Sequence, residues 1–272
     1  MSETQTLTDW MSDAEHEWRT RLQPVNLVIE SDFLGEDIRE LQSRYGSRTQ
    51  QLVNKGFSRK EMIKKYPAVT LMILVGHALL AYDHGAYWDS FWEELDLPRD
   101  QEFENALRSN IDAMLRKFSL ARIPDVQKDR SRKYVMLLAM HAGIPVYCLG
   151  DLLRMLSEHI VNGRAPSGAA VIEWLHEPGK EHRAGSLDVP VRNFLMYGAE
   201  FAVDILDRII EFIEATTADP TLLDIELDSS TTGLPTVLVE ELVIQLRDKP
   251  IRVTSRSSAV GAKNRPRIAY SV

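Results

Sequence analysis

A chain of 272 residues, 44% hydrophobic and 26% charged, can bury a core of enzyme size in one large domain or two ordinary ones. Its net charge of −8 argues against wholesale binding to nucleic acid, so any phosphate contact has to be local. Cys148 is the lone cysteine, which excludes an intramolecular disulfide and a multi-cysteine metal centre; the polar start "MSETQTLTDW" has no apolar signal region, so a cytoplasmic protein is expected.

Leu7, Trp10, Met11, Ala14, Trp18 and Leu22 recur at helical spacing and predict an amphipathic first helix, ended by Pro24. Leu34, Ile38, Leu41, Tyr45 and Leu52 predict a second, with Gly56 as its stop. "SRKE" at 58–61 has the spacing of a capping box and should open a short helix that breaks at Tyr66-Pro67. From Pro67 the run "AVTLMILVGHALLAY" is apolar on every side. It is shorter than the roughly 20 residues a membrane span needs, so a buried central helix is expected and no membrane association. Gly85 should end it, a short aromatic helix should cover 87–95, and a longer one should turn Phe103, Leu107, Ile111, Met114, Leu115 and Phe118 inward.

"RIPDVQKDRSRK" at 122–133 reads as a polar surface connection. An apolar helix over 134–142 is closed by Gly143, and Pro145 restarts the chain as a helix to about residue 160. "NGRAPSG" is a turn, Val171, Trp174 and Leu175 mark a short helix, and "EPGKEHRAGSLD" at 177–188 has the composition of a mobile loop. One long helix is expected across "DVPVRNFLMYGAEFAVDILDRIIEFIEA", with Pro190 in its first turn. Beyond residue 218 the chain turns acidic, carries a helix over 236–247, and ends basic, with "PIRVTS" and "RPRIAYSV" strand-like. The expected fold is all-α: an irregular multi-helix bundle over 1–218 and an appendage over 219–272, the latter partly β-forming.

Candidate chemistry centres on "LVGHALLAYDHGAYWDSFWEEL". His77 and His84 are two helical turns apart with Asp83 alongside, and His141 ends another apolar helix, so a metal-assisted hydrolase on these four residues is one reading. The opposing reading is that these are hydrogen-bonded core histidines. Glu173 and His176 have the Glu-x-x-His spacing of di-iron bundles, but no second such pair exists in the chain. Cys148, with His141 or His159 as base, is a candidate nucleophile, yet "IPVYCLGDLL" suits a buried thiol. Phosphate-binding glycine loops are absent, and no cofactor is expected.

Two sets of residues are candidates for binding. Tyr82, Tyr87, Trp88 and Trp92 offer aromatic area for a partner protein, with Trp92 or Tyr87 the first to be partly exposed; the favoured reading is that the i, i+4 pairs Tyr87–Phe91 and Trp88–Trp92 close one corner of the core. Lys249, Arg252, Arg256, Lys263, Arg265 and Arg267 form a basic segment able to attract phosphates.

Three segments, "YPAVTLMILVGHALLAYDHGAYW", "HAGIPVYCLGDLLRML" and "DVPVRNFLMYGAEFAVDILDRIIE", resemble in order the N-terminal helical region of large bacterial multidomain proteins with no established activity. The resemblance covers about residues 66–211 and implies an N-terminal module or a stand-alone relative; it assigns no catalytic residue. The strand-like ending fits a chain that would continue into a β-rich region. Together these readings favour a helical protein-interaction or scaffolding module, with the metal-assisted hydrolase and a nucleic-acid-binding protein as alternatives.

Overall fold

A computed structural model of the chain describes residues 3–80, 87–122, 133–161, 167–225, 227 and 229–251. Every regular element among them is helical, so the fold is all-α. No helix among the described residues is long and apolar enough to cross a membrane. Two units form, Met1–Pro145 and Val146–Val272, a division that falls inside the segment assigned to one helical body above.

In the first unit, α1 (Glu3–Arg21) and α2 (Gly35–Asn54) flank α4 (Pro67–Leu80), which also packs against α7 (Lys133–Ala142). The central position of α4 follows from its composition: Pro67 to Leu79 are all buried, and each large aliphatic among them contributes on the order of 2 kcal/mol of transfer free energy. Gly76 sets the approach of α2, because a Cβ at that position would lie 2.6 Å from Ile38.

A helix buried on all sides has a difficulty at its start, where the first amides lack intrahelical acceptors. Pro67 removes one of them, and the carboxylate of Glu15 on α1 accepts the next two, from Ala68 (2.8 Å) and Val69 (3.1 Å). Burial raises the pKa of Glu15 above the usual carboxylate value, against the lowering effect of these amides and of Arg19. The hydroxyl of Thr70 then donates to the carbonyl of Tyr66 and meets the Tyr45 hydroxyl at 3.0 Å.

The short α3 (Glu61–Lys65) begins at Glu61 itself, not after a capping Ser58 as the spacing suggests. Ser58 instead builds the preceding turn, its Oγ accepting the Lys60 amide and its carbonyl the Glu61 amide. Gly56 stops α2 as expected: at φ +80° it hosts paired bonds from Gly56 to Val53 and from Phe57 to Leu52. α5 (Tyr87–Glu94) and α6 (Gln101–Lys117) follow, the latter capped by Asp100, which accepts the amides of Glu102 and Phe103 at 3.0 Å.

The second unit begins with a 3-10 turn, Val146–Cys148, and α8 (Leu149–Val161). α9 (Gly168–Leu175) is capped by Ser167, and its Gly168 amide donates to Asp207 at 2.8 Å. Residues 177–188, expected as a mobile loop, contain the helical turn α10 (His182–Gly185). Arg183 organises it: the guanidinium stacks on Trp174 at 4.6 Å, donates to the Trp174 carbonyl and pairs with Glu177.

The expected long helix is two helices, α11 (Val189–Tyr197) and α12 (Ala199–Ala218), separated at Gly198. There ψ opens to −12°, towards a tighter 3-10 turn, a departure that the low helix propensity of glycine makes cheap. α12 packs against α9 and α11, while α13 (Ser229–Thr232) and α8 lie against α14 (Thr236–Asp248). No strand occurs among the described residues. Pro250 and Ile251 are not in one, and the remainder of both strand-like segments lies outside the described residues.

Candidate functional site

His77 sits on the inner face of α4 at 1% exposure, beneath α5. The side-chain nitrogen of Gln42 faces its Nδ1 at 3.0 Å; an amide nitrogen can only donate, so Nδ1 accepts and Nε2–H donates to the Ser90 hydroxyl at 2.9 Å. Tyr87 and Phe91 meet the ring edge-on at 5.0 and 5.4 Å, and the Tyr87 hydroxyl donates to the Leu74 carbonyl. Burial lowers the His77 pKa to about 4, opposed by a hydrogen bond to the Tyr87 backbone. The imidazole is neutral, with both nitrogens engaged inside the core.

His141 has the same standing. The Val28 amide donates to its Nδ1 at 3.2 Å and its Nε2–H donates to the Ala121 carbonyl at 2.9 Å, joining three separate stretches of chain. Burial again brings the pKa to about 4. His77 and His141 thus serve different partners, and a metal would displace hydrogen bonds that hold the fold. Tyr82, Asp83 and His84 lie outside the described residues, as does Gly85. Among the described residues no three His, Cys, Asp or Glu side chains converge as a metal site.

The aromatic residues of α5 close a corner of the core. Tyr87, Trp88 and Trp92 are 5%, 7% and 3% exposed, as the core-corner reading expects, and the partial exposure suggested for Tyr87 or Trp92 does not occur. The reason is a buried carboxylate absent from the sequence reading. Glu104 on α6 has no exposed surface, accepts from the Trp92 indole and from Arg99 (3.1 Å), and is paired with Arg108. Arg108 also covers the Trp88 ring at 5.0 Å, and Arg99 extends to Asp89. The pairing of Glu104 with Arg108 at helical spacing was the available signal; Arg99 and Trp92 approach from outside that helix.

Cys148 is fully buried, and burial, reinforced by the nearby Asp188 carboxylate, pushes its thiol pKa up, which disfavours the reactive thiolate. Its suggested base His159 carries no described side chain. Glu173 and His176 are exposed at the end of α9, where His176 Nδ1 lies 2.8 Å from its own helix's Ile172 carbonyl rather than facing a bundle interior.

No protein-family model, curated protein or solved structure matches this chain.

Among the described residues the exposed large hydrophobics are Phe57 in the first unit and Tyr147, Val189, Met196, Ile225 and Ile244 in the second. Val189 and Met196 are two turns apart on one face of α11. A groove of about 570 Å³ runs along α8 and the end of α14, lined by Tyr147, Gly150, Leu153, Gln245, Lys249 and Ile251 among others. Lys249 is the one member of the basic segment among the described residues and is exposed at this rim; Arg252, Arg256, Lys263, Arg265 and Arg267 lie outside them.

Proposed function

We propose that this chain is a helical protein-interaction module that binds through its second unit. Support comes chiefly from the distribution of exposed apolar side chains. Val189 and Met196 at 53% and 46%, Ile244 at 56% and Tyr147 at 40% stand on helices or turns whose other faces are buried, the pattern of surfaces that dock a partner. The reactive groups favoured by sequence are consistent with this: His77 and His141 are hydrogen-bonded within the core of the first unit, and Cys148 is buried in the core of the second.

The test is site-specific photo-crosslinking in cells, with a photoreactive amino acid at positions 189, 196 and 244, and at the exposed polar positions Asp9 and Glu93 as controls. A discrete protein adduct from the apolar positions and not from the controls is the expected result. Absence of adducts at all three, under conditions where the chain is folded and expressed, refutes the reading.

A further inference from the structure

The first unit carries a surface whose chemistry differs from that of the exposed apolar side chains of the second. A groove of about 230 Å³ lies between α1 and α2, lined by Trp10, Asp13, Glu17 and Trp18 from the first helix and by Asp37 and Glu40 from the second, among others. Trp10, Asp13, Glu17 and Arg21 recur at intervals of three and four, so one face of α1 carries an indole, two carboxylates and a guanidinium. Pockets for drug-sized ligands run to roughly 300–1,000 Å³, so a groove of this size suits a single side chain.

Two of the chain's own arginines show what these residues attract. The Arg21 guanidinium lies over the Trp18 ring at 4.2 Å and pairs with Glu17 at 3.4 Å. Arg44 lies over Trp10 at 4.3 Å and pairs with Glu40 at 2.8 Å. Each guanidinium is shared between an indole face and a carboxylate, which suits a planar, weakly hydrated cation better than a compact ammonium. Some capacity is left over. Asp13 has no cation or hydrogen-bond donor among the described residues, and Asp37 uses only Oδ2, which accepts the Leu34 amide at 2.9 Å. Trp18 is 4% exposed and lines the groove, yet its indole N–H meets no acceptor among the described residues. The unmet groups are therefore carboxylate oxygens and one deeply set donor.

We infer that the α1–α2 groove is a recognition site for an arginine side chain of a partner protein. The incoming guanidinium pairs with Asp13 and the free oxygen of Asp37, and its flat face lies along Trp10. The Trp18 N–H donates to a backbone carbonyl of the segment that carries the arginine, an acceptor that a free guanidinium ion does not possess. Four carboxylates against one arginine line the groove, a balance that repels a polyanion such as nucleic acid. The site is separate from the apolar surface of the second unit. Asp9, the crosslinking control, is not among the residues lining it, so the two tests read different surfaces.

The test is a titration of the full chain, isotope-labelled for amide and indole NMR, with four probes. These are a capped Gly-Ser-Arg-Ser-Gly peptide, the same peptide with citrulline or with lysine in place of arginine, and methylguanidinium. The arginine peptide should shift the indole N–H signals of Trp10 and Trp18 and the amides at 10–21 and 37–44, with the Trp18 indole proton moving downfield as it gains an acceptor. Citrulline keeps the size and shape without the charge and should not bind. The lysine peptide should bind several-fold more weakly, and methylguanidinium should bind more weakly still and leave the Trp18 proton in place. Asp13→Asn should weaken the arginine peptide about two- to fivefold, and Trp10→Leu by a similar factor. Asp13→Lys should abolish binding; Asp13 is exposed, so an unchanged unfolding midpoint is expected for both of its variants.

Equal binding of the citrulline peptide or of methylguanidinium, an affinity unchanged by Asp13→Lys, or shifts confined to other residues overturns the inference.

Discussion

Acidification from pH 7 to pH 5 should destabilise the first unit by way of two histidines. His77 and His141 are each 1% exposed, and each has a pKa of about 4 in the folded chain against the ordinary 6.5. The unfolded chain binds protons at these positions before the folded chain does. The stabilisation from keeping both rings neutral is therefore fully present above about pH 6.5 and is lost as pH falls towards 4. At pH 5 the unfolded ring is almost wholly protonated and the folded ring barely so, which amounts to about 2 kcal/mol per histidine, or about 4 kcal/mol for the pair. Urea unfolding at the two pH values measures the difference directly. His141→Gln keeps a donor and an acceptor without a titratable group; it should cost stability at pH 7 and remove about half of the pH-dependent loss. An unchanged slope in that variant would refute the assignment of the effect to buried imidazole.

Glu15→Ala should cost about 2–4 kcal/mol, because the Ala68 and Val69 amides are left buried without an acceptor, and Glu15→Gln should cost less; chemical denaturation of both variants is the check. The raised pKa of Glu15 acts on pH dependence in the opposite sense to the histidines: its contribution is present below 4.5 and is lost as pH rises through the folded value, so it offsets part of the histidine loss and Glu15→Gln should steepen the acid limb of the stability curve. Gly76→Ala should destabilise by about 1–3 kcal/mol through overpacking on Ile38, with part of the loss recovered when Ile38→Val is added; additive losses in a double-mutant cycle would contradict the contact. Cys148 should react with a thiol reagent only as fast as the chain unfolds, and rapid modification of the native protein would show the thiol to be accessible.

The helical body was legible because its elements announce themselves locally. The apolar spacing along α1, α2 and α6, and the run of α4 apolar on every side, is periodic information that needs no knowledge of what lies opposite. The break at Gly198 was not legible, since the apolar face of α11 continues in register into α12 and a one-residue change of ψ leaves no mark on periodicity. α10 was hidden for a different reason: its turn is stabilised by Arg183 reaching back to Trp174, an arrangement that composition reads as loop. The site residues divide along the same line. His77 was correctly picked out as needing a partner, but Gln42, 35 residues earlier, and Ser90, 13 later, have no spacing rule that nominates them. The aromatic pairs of α5 were readable as a core corner from their i, i+4 spacing, but nothing in the order of residues brings Arg99 and Arg108 together around the buried Glu104 that Trp92 contacts.

The acceptor for the first amides of α4 belongs to α1, 53 positions upstream of Ala68. A chain emerging from the ribosome makes its N-terminus first, so Glu15 is already outside the exit tunnel when the most hydrophobic segment of the protein appears. The order of synthesis thus supplies a docking surface with its hydrogen-bond acceptor ahead of the helix that needs both, and moving α1 to the other end of the gene by circular permutation would leave that segment exposed for the longest interval of its synthesis.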